Sequence, residues 1–297
     1  MKKLFLTILI FMSFILQAQG KVKIVATLPV FGSIAQEIGG ERVEVTSLAS
    51  ADQDPHFIDA KPSYAVLLNQ ADLLIEGNMG LETGWLPPLL LQARNPKIMK
   101  GGKGYVDASQ GVESLEIPQG GVNLFQGDIH PRGNPHQWFD PRAVKILAVN
   151  INQHLVAIDA EGKPYYDAQL KNFIDQLNQH LSQWAQLTQG WRGKKIITYH
   201  RSLSYLAHWL GLEVRDTLEP KPGIPPSTRR IEELVKTLQN DKISLLLSEE
   251  FYPRSLADYL AQNMKVPLLV IKAQPHAKQK YVDWMDSLLN QMQKKIL

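Results

Sequence analysis

The sequence predicts an α/β protein: two (β/α) lobes with mostly parallel sheets, joined by one long rigid helix. Three observations predict it. In the first half, short apolar runs of strand length alternate with helical patterns, the signature of βαβ units. The same alternation restarts in the second half. Between them, residues 164–189 carry Leu170, Phe173, Ile174, Leu177, Leu181 and Trp184 at spacings of three and four, the period of one helix face. Such a helix spans about 39 Å at about 1.5 Å per residue, longer than an ordinary crossover, and reads as a strut. The expected division is a leader over residues 1–20, an N-terminal lobe over 21–163, the connecting helix over 164–189 and a C-terminal lobe over 190–297.

Each element has a local reason. Residues 23–28 (KIVATL) read as a buried strand, and residues 31–38 as a helix stopped by Gly39-Gly40, which favour a left-handed end. Residues 42–48 (RVEVTSL) alternate like a strand. Residues 62–70 form a helix with Pro62 in its first turn, and residues 72–76 (DLLIE) a third strand. Residues 109–134 lack periodicity and read as a surface loop; residues 141–157 resume a helix. In the second half, residues 194–199, 212–216, 243–247 and 266–271 read as strands. Residues 202–210, a segment capped by Ser227, residues 255–262 and residues 281–292 read as helices. Ser227 is a favoured N-cap, and Glu232 and Glu233 early with Lys236 late suit the helix dipole. Residues 220–226 (PKPGIPP) are a proline-stiffened loop.

The first 20 residues combine Lys2 and Lys3 with an apolar run over residues 4–16 and small residues at 18–20. This run is shorter than the roughly 20 residues needed to cross a bilayer, so it reads as a secretory signal peptide cleaved near Gly20. The expected location is the periplasm. The absence of cysteine leaves no residue for a lipid anchor, no disulfides, and no thiolate for a metal site. The formal charge of +3, reduced by the two leader lysines, gives no electrostatic reason to expect nucleic acid or an anionic membrane as partner. A monomer is expected.

Three histidines stand in constrained loops: His56 in Asp54-Pro55-His56, His136 in Asn134-Pro135-His136, and His200 after Tyr199 at the end of a predicted strand. Proline fixes the backbone before the first two, and strand ends are where open α/β sheets place ligands. Imidazole is a common metal ligand. Three such rings from distant segments, meeting where two lobes face each other, suggest a metal site in the inter-lobe cleft. Taken singly, each could be structural: His56 a turn residue, His136 a helix-start residue, His200 a satisfied polar group. Glu249 and Glu250 end a buried strand, where a carboxylate is costly unless paired or bound to a cation. Glu249 is the expected fourth ligand, with Glu250, His276 or water as alternatives and an ion pair to Arg201 or Arg254 as the structural reading. His130 could serve as a loose auxiliary ligand, and His154, His180 and His208 read as helix-surface or filler residues.

These segments resemble the periplasmic solute-binding proteins of zinc and manganese ABC importers. Asp54-Pro55-His56 with Lys61-Pro62-Ser63 resembles the family's first ligand loop, and NPHQWFDP (134–141) its second ligand motif. Tyr199-His200 with Ser204-Tyr205 and Gly211-Leu212 resembles the third, and EPKPGIPPS (219–227) a loop found in many members. The resemblance implies metal ligation by His56, His136 and His200, and delivery of the ion to a membrane ABC permease, with no enzymatic activity. Two departures stand out: VIKAQPH (270–276) lacks the acidic ligand many members carry there, and the loop before the second motif lacks a His-rich stretch. Three imidazoles and an oxygen suit tetrahedral Zn²⁺; Mn²⁺ prefers more oxygen. Zinc is therefore expected over manganese. The rival class is a zinc-dependent hydrolase, against which the sequence offers no H-E-x-x-H and no G-x-S-x-G.

Overall fold

A computed structural model describes residues 20–120, 127 and 130–296. All but Gly20 of the expected signal peptide over 1–20, and part of the expected 109–134 loop, lie outside the described residues. Among the described residues, no helix is long and apolar enough to cross a membrane.

The first lobe runs β1 (Val22–Ala26), α1 (Pro29–Gly39), β2 (Val43–Ser47), α2 (Pro62–Gln70), β3 (Leu73–Glu76), α3 (Leu86–Ala93), β4 (Tyr105–Asp107) and α4 (Pro141–Ile158). The second runs β5 (Lys195–Thr198), α6 (Ser204–Leu210), β6 (Glu213–Thr217), α7 (Thr228–Leu238), β7 (Ile243–Glu249), α8 (Arg254–Met264), β8 (Leu268–Ile271) and α9 (Tyr281–Gln293). Each lobe holds one four-stranded sheet, ordered β2-β1-β3-β4 and β6-β5-β7-β8, and all pairings are parallel. The two halves thus share one winding. The strand order reverses beside β1 and β5, and the crevice outside the carboxyl ends there is the ligand position of open α/β sheets.

The central strands are apolar because helices cover both faces. Ile24, Val25 and Ala26 in β1 and Leu245, Leu246 and Leu247 in β7 are all buried. The edge strand β6 keeps Glu213 and Arg215 in solvent, as befits an exposed margin. The helices obey the same logic: α4 buries Val144, Leu147, Ala148, Ile151 and Leu155 on one stripe.

The long helix α5 (Lys163–Leu187) lies between the lobes. It buries Tyr166, Phe173, Leu177 and Trp184 and packs on α1, α4 and α9. Its start is seated by Asp159, whose Oδ2 accepts from Arg42 Nη2 (2.6 Å) and Tyr166 OH (2.7 Å). The C-terminal helix α9 returns to the first lobe. Tyr281 OH donates to the Trp138 carbonyl (3.0 Å), and Trp138 Nε1 donates to the Ala273 carbonyl (3.1 Å). One hydrophobic cluster accordingly runs from Ile24 and Phe31 through Phe173 and Trp184 to Trp284 and Leu288. Apolar burial on that scale holds the lobes as one body.

The expected strands and helices appear within a residue or two at their ends, the usual play of helix boundaries. Ser227 Oγ accepts from Arg230 N (3.2 Å), as its N-cap reading requires. The segment expected as one helix over 202–210 divides into a 3-10 turn, Arg201–Leu203, and α6. Helix α3 and strand β4 have no counterpart among the expectations. The α3 sequence LPPLLLQA has a continuous apolar run with two prolines and no readable period, and β4 has only 3 residues.

Candidate metal centre

His56, His136 and His200 arrive from three different loops: after β2, just before α4, and directly after β5. Their ring centroids lie 5.1 Å (His56–His136), 5.4 Å (His56–His200) and 5.4 Å (His136–His200) apart. One nitrogen from each lies within 4.8 Å of the others. His136 and His200 are 2% and 3% exposed, and the His56 side chain 8%.

The aiming of each ring is local. Asp54 Oδ1 accepts from the His56 backbone N–H (3.0 Å) and lies 2.8 Å from its Nδ1. Asn134 Oδ1 does the same for His136, at 2.9 Å to both the backbone N and Nδ1. The intervening proline holds the bend, and Trp85 Nε1 fastens Pro55 through its carbonyl (3.0 Å). His200 follows a different plan: Glu219 Oε2 lies 2.6 Å from its Nδ1 and also accepts from Gly223 N (3.0 Å). The proline-stiffened loop after Glu219 is therefore the mount of the third histidine.

In all three, an oxygen takes the Nδ1 proton, which sets the tautomer and leaves Nε2 bare toward the centre. Burial, with His56 and His200 beside it, holds the His136 ring well below the ordinary imidazole pKa, so it stays neutral and ligand-competent. Burial alone would raise Asp54, but the side-chain and backbone bonds from His56, together with the charge interactions of His56 and His200, hold its carboxyl below the usual range. Asp54, Asn134 and Glu219 are positioning residues that the sequence reading did not single out for this role. The signal for the first two was present: both motifs read Asx-Pro-His. We expect Asn134→Ala to weaken metal binding by roughly 10–100-fold, the usual effect of losing an outer-shell partner, in a calorimetric Zn²⁺ titration. An unchanged affinity would mean that Pro135 alone aims the ring.

Glu249, expected as fourth ligand, is not in the group whose donor atoms converge. It is fully buried at the end of β7 and accepts from the Ser202 hydroxyl; nothing pairs it with Arg201 or Arg254. Glu250 and His276 line a separate cleft of about 1200 Å³ beside α1 and α5, which the three histidines do not line. A smaller cavity of about 160 Å³ reaches the site itself, lined by Asp54, His56, His200, Glu219 and Tyr252 among others. His130, read as a loose auxiliary, comes against His56, with 3.3 Å between the two Nε2 atoms.

Two parallel α/β lobes braced by one long helix, with buried imidazoles converging at the carboxyl ends of the strands, define a solute-binding protein built around a metal ion. The profile of the family described as "Zinc-uptake complex component A periplasmic" matches residues 24–295. The chain belongs to that family and is a metal ABC transporter substrate-binding protein. It is 25% identical over 253 residues, 84% of this chain and 78% of the relative, to the "Manganese ABC transporter substrate-binding lipoprotein PsaA" of Streptococcus anginosus. It is 26% identical to the "Zinc-binding lipoprotein AdcA" of a Streptococcus pneumoniae strain, over 84% of this chain but 49% of that one. Both relatives are named lipoproteins, so they lend no support to the expectation of an unanchored protein. A crystal structure of ZnuA has the same fold (TM-score 0.76, 21% identity, 93% of this chain and 99% of that one). So does FpvC from Pseudomonas aeruginosa in complex with Mn²⁺ (TM-score 0.77, 20% identity, 93% and 98%).

Proposed function

We propose that this protein captures one Zn²⁺ ion outside the cytoplasm, between His56, His136 and His200, and delivers it to a membrane ABC permease. The observation that carries the reading is the convergence of one nitrogen from each of three imidazoles within 4.8 Å, each ring held by an oxygen at its Nδ1. Kinship alone leaves the metal open, since one relative is named for manganese and another for zinc. The donor set favours zinc: buried imidazoles suit a tetrahedral ion, whereas Mn²⁺ favours carboxylate, carbonyl and water oxygens. The protein acts as a carrier and not as a hydrolase. The named relatives are binding proteins, and the sequence has no H-E-x-x-H or G-x-S-x-G motif. A monomer suffices for this role, because one chain supplies every proposed ligand.

Elemental analysis of the purified protein should find about one zinc per chain. In a competition titration, Mn²⁺ at comparable concentration should fail to displace it. Displacement by manganese would overturn the choice of metal, and metal-dependent turnover of ester or phosphate substrates would overturn the carrier reading.

A further inference from the structure

We propose that His130 is the fourth ligand, so that the cargo metal is held by four imidazoles. The inference rests on the function just proposed and adds to it a donor from the loop between β4 and α4.

The geometry between His130 and His56 carries it. Their rings stack at 5.4 Å between centroids, and the Nε2 atoms face each other at 3.3 Å. The His56 Nδ1 proton is already given to Asp54. The His130 ring is also engaged at its far side: it bonds the Met79 backbone, and its Nδ1 lies against Gly80. With both rings carrying their proton on Nδ1, the two facing Nε2 atoms each present a lone pair. Two lone pairs at that distance repel, and a cation between them converts the repulsion into coordination. The spacing fits: in a tetrahedral site with zinc–nitrogen bonds of about 2.0–2.1 Å, the donors stand about 3.3 Å apart.

The seat of His130 is specifically built. Asn78, Met79 and Gly80 all have positive φ, at 59°, 58° and 99°. Two of these are non-glycine residues, and such a run costs free energy unless its surroundings enforce it. Glu82 enforces it: its carboxylate accepts from Gly77 N (2.7 Å), Asn78 N (3.0 Å) and Thr27 Oγ1 (2.7 Å). A Cβ at Gly80 would stand 3.1 Å from His130 Nδ1, so glycine there keeps the seat open. His130 thus repeats the plan of the other three rings, with Nδ1 held from behind and Nε2 forward. It lies farther from His136, at 6.4 Å between centroids, and completes the tetrahedron by a turn of its side chain toward that ring.

X-ray absorption at the zinc edge counts imidazole ligands directly. The zinc-loaded wild-type protein should show four, and His130→Ala three with an oxygen in the fourth place. The variant should bind zinc at least about tenfold more weakly, since a ligand matters no less than the outer-shell partners whose loss costs 10–100-fold. Its preference for zinc over manganese should also narrow. A wild-type count of three, with the variant unchanged in affinity, would overturn the role of His130 and leave the zinc carrier standing. A wild-type protein that binds no zinc would instead overturn the proposed function itself.

Discussion

Alanine in place of His136 will strip the protein of stoichiometric zinc. This ring is the most enclosed of the three, 2% exposed, with Asn134 behind it and Trp138 at 5.2 Å between ring centroids. The adjacent chain offers no replacement, because it is committed to the 3-10 turn Gln137–Phe139 and the start of α4. The loss should exceed the roughly 100-fold that outer-shell substitutions reach, taking bound zinc from about one per chain to none after desalting. Thermal unfolding gives a second readout. A ligand at ~1,000 times its Kd stabilises the folded state by about 4 kcal/mol, so zinc should raise the wild-type Tm and leave the variant's unmoved. Circular dichroism of the two metal-free proteins should match, since the replacement leaves the helices and sheets untouched. A variant that still retains one zinc per chain would reduce His136 to a packing residue.

The fold was legible wherever burial imposes a period. The strands β1 and β7 announce themselves as apolar runs because both faces are covered, and α5 as a long stripe because one face is. Segments where packing does not impose a period were silent. Helix α3 begins with Pro87 and Pro88 in its first turns and carries contiguous leucines, of which Leu91 is 73% exposed, so no stripe could be read. The three histidines that converge were legible because proline and strand ends constrain them locally. Their mounts divide along the same line. Asp54 and Asn134 act over two residues and were within reach of a sequence reading. Glu219 acts on His200 across 19 residues, a distance that leaves no trace in the local pattern, and His130, which meets His56 across 74, reads from the sequence only as a loose auxiliary. Glu249 was chosen on the argument that a buried carboxylate needs a cation. A neutral carboxyl satisfies that argument equally well.

The ionisation of Glu249 therefore makes the other strong prediction. Burial pushes its carboxyl up to about 8, the Ser202 bond opposes this, and Asp54 and Glu219 add to the rise. Among the described residues, its Oε2 has no hydrogen-bond partner. In an unfolded chain the same carboxyl titrates near ~4.3. Below that pH both states hold the proton and the group imposes no pH dependence. As pH rises, the unfolded state releases the proton while the folded state keeps it until about 8, so stability falls across that window. Glu249→Gln cannot ionise and should lack the fall. In metal-free buffer the variant should match wild type near pH 4 and exceed it above pH 8 by roughly 3–5 kcal/mol, at about 1.4 kcal/mol per pKa unit. Urea denaturation at the two pH values measures the difference; equal pH slopes in both proteins would mean that Glu249 is ionised in the fold. Zinc content separates the remaining possibility. If four imidazoles hold the metal, Glu249→Gln keeps about one zinc per chain, and only a direct role of the carboxylate in binding would make the ion disappear with the charge.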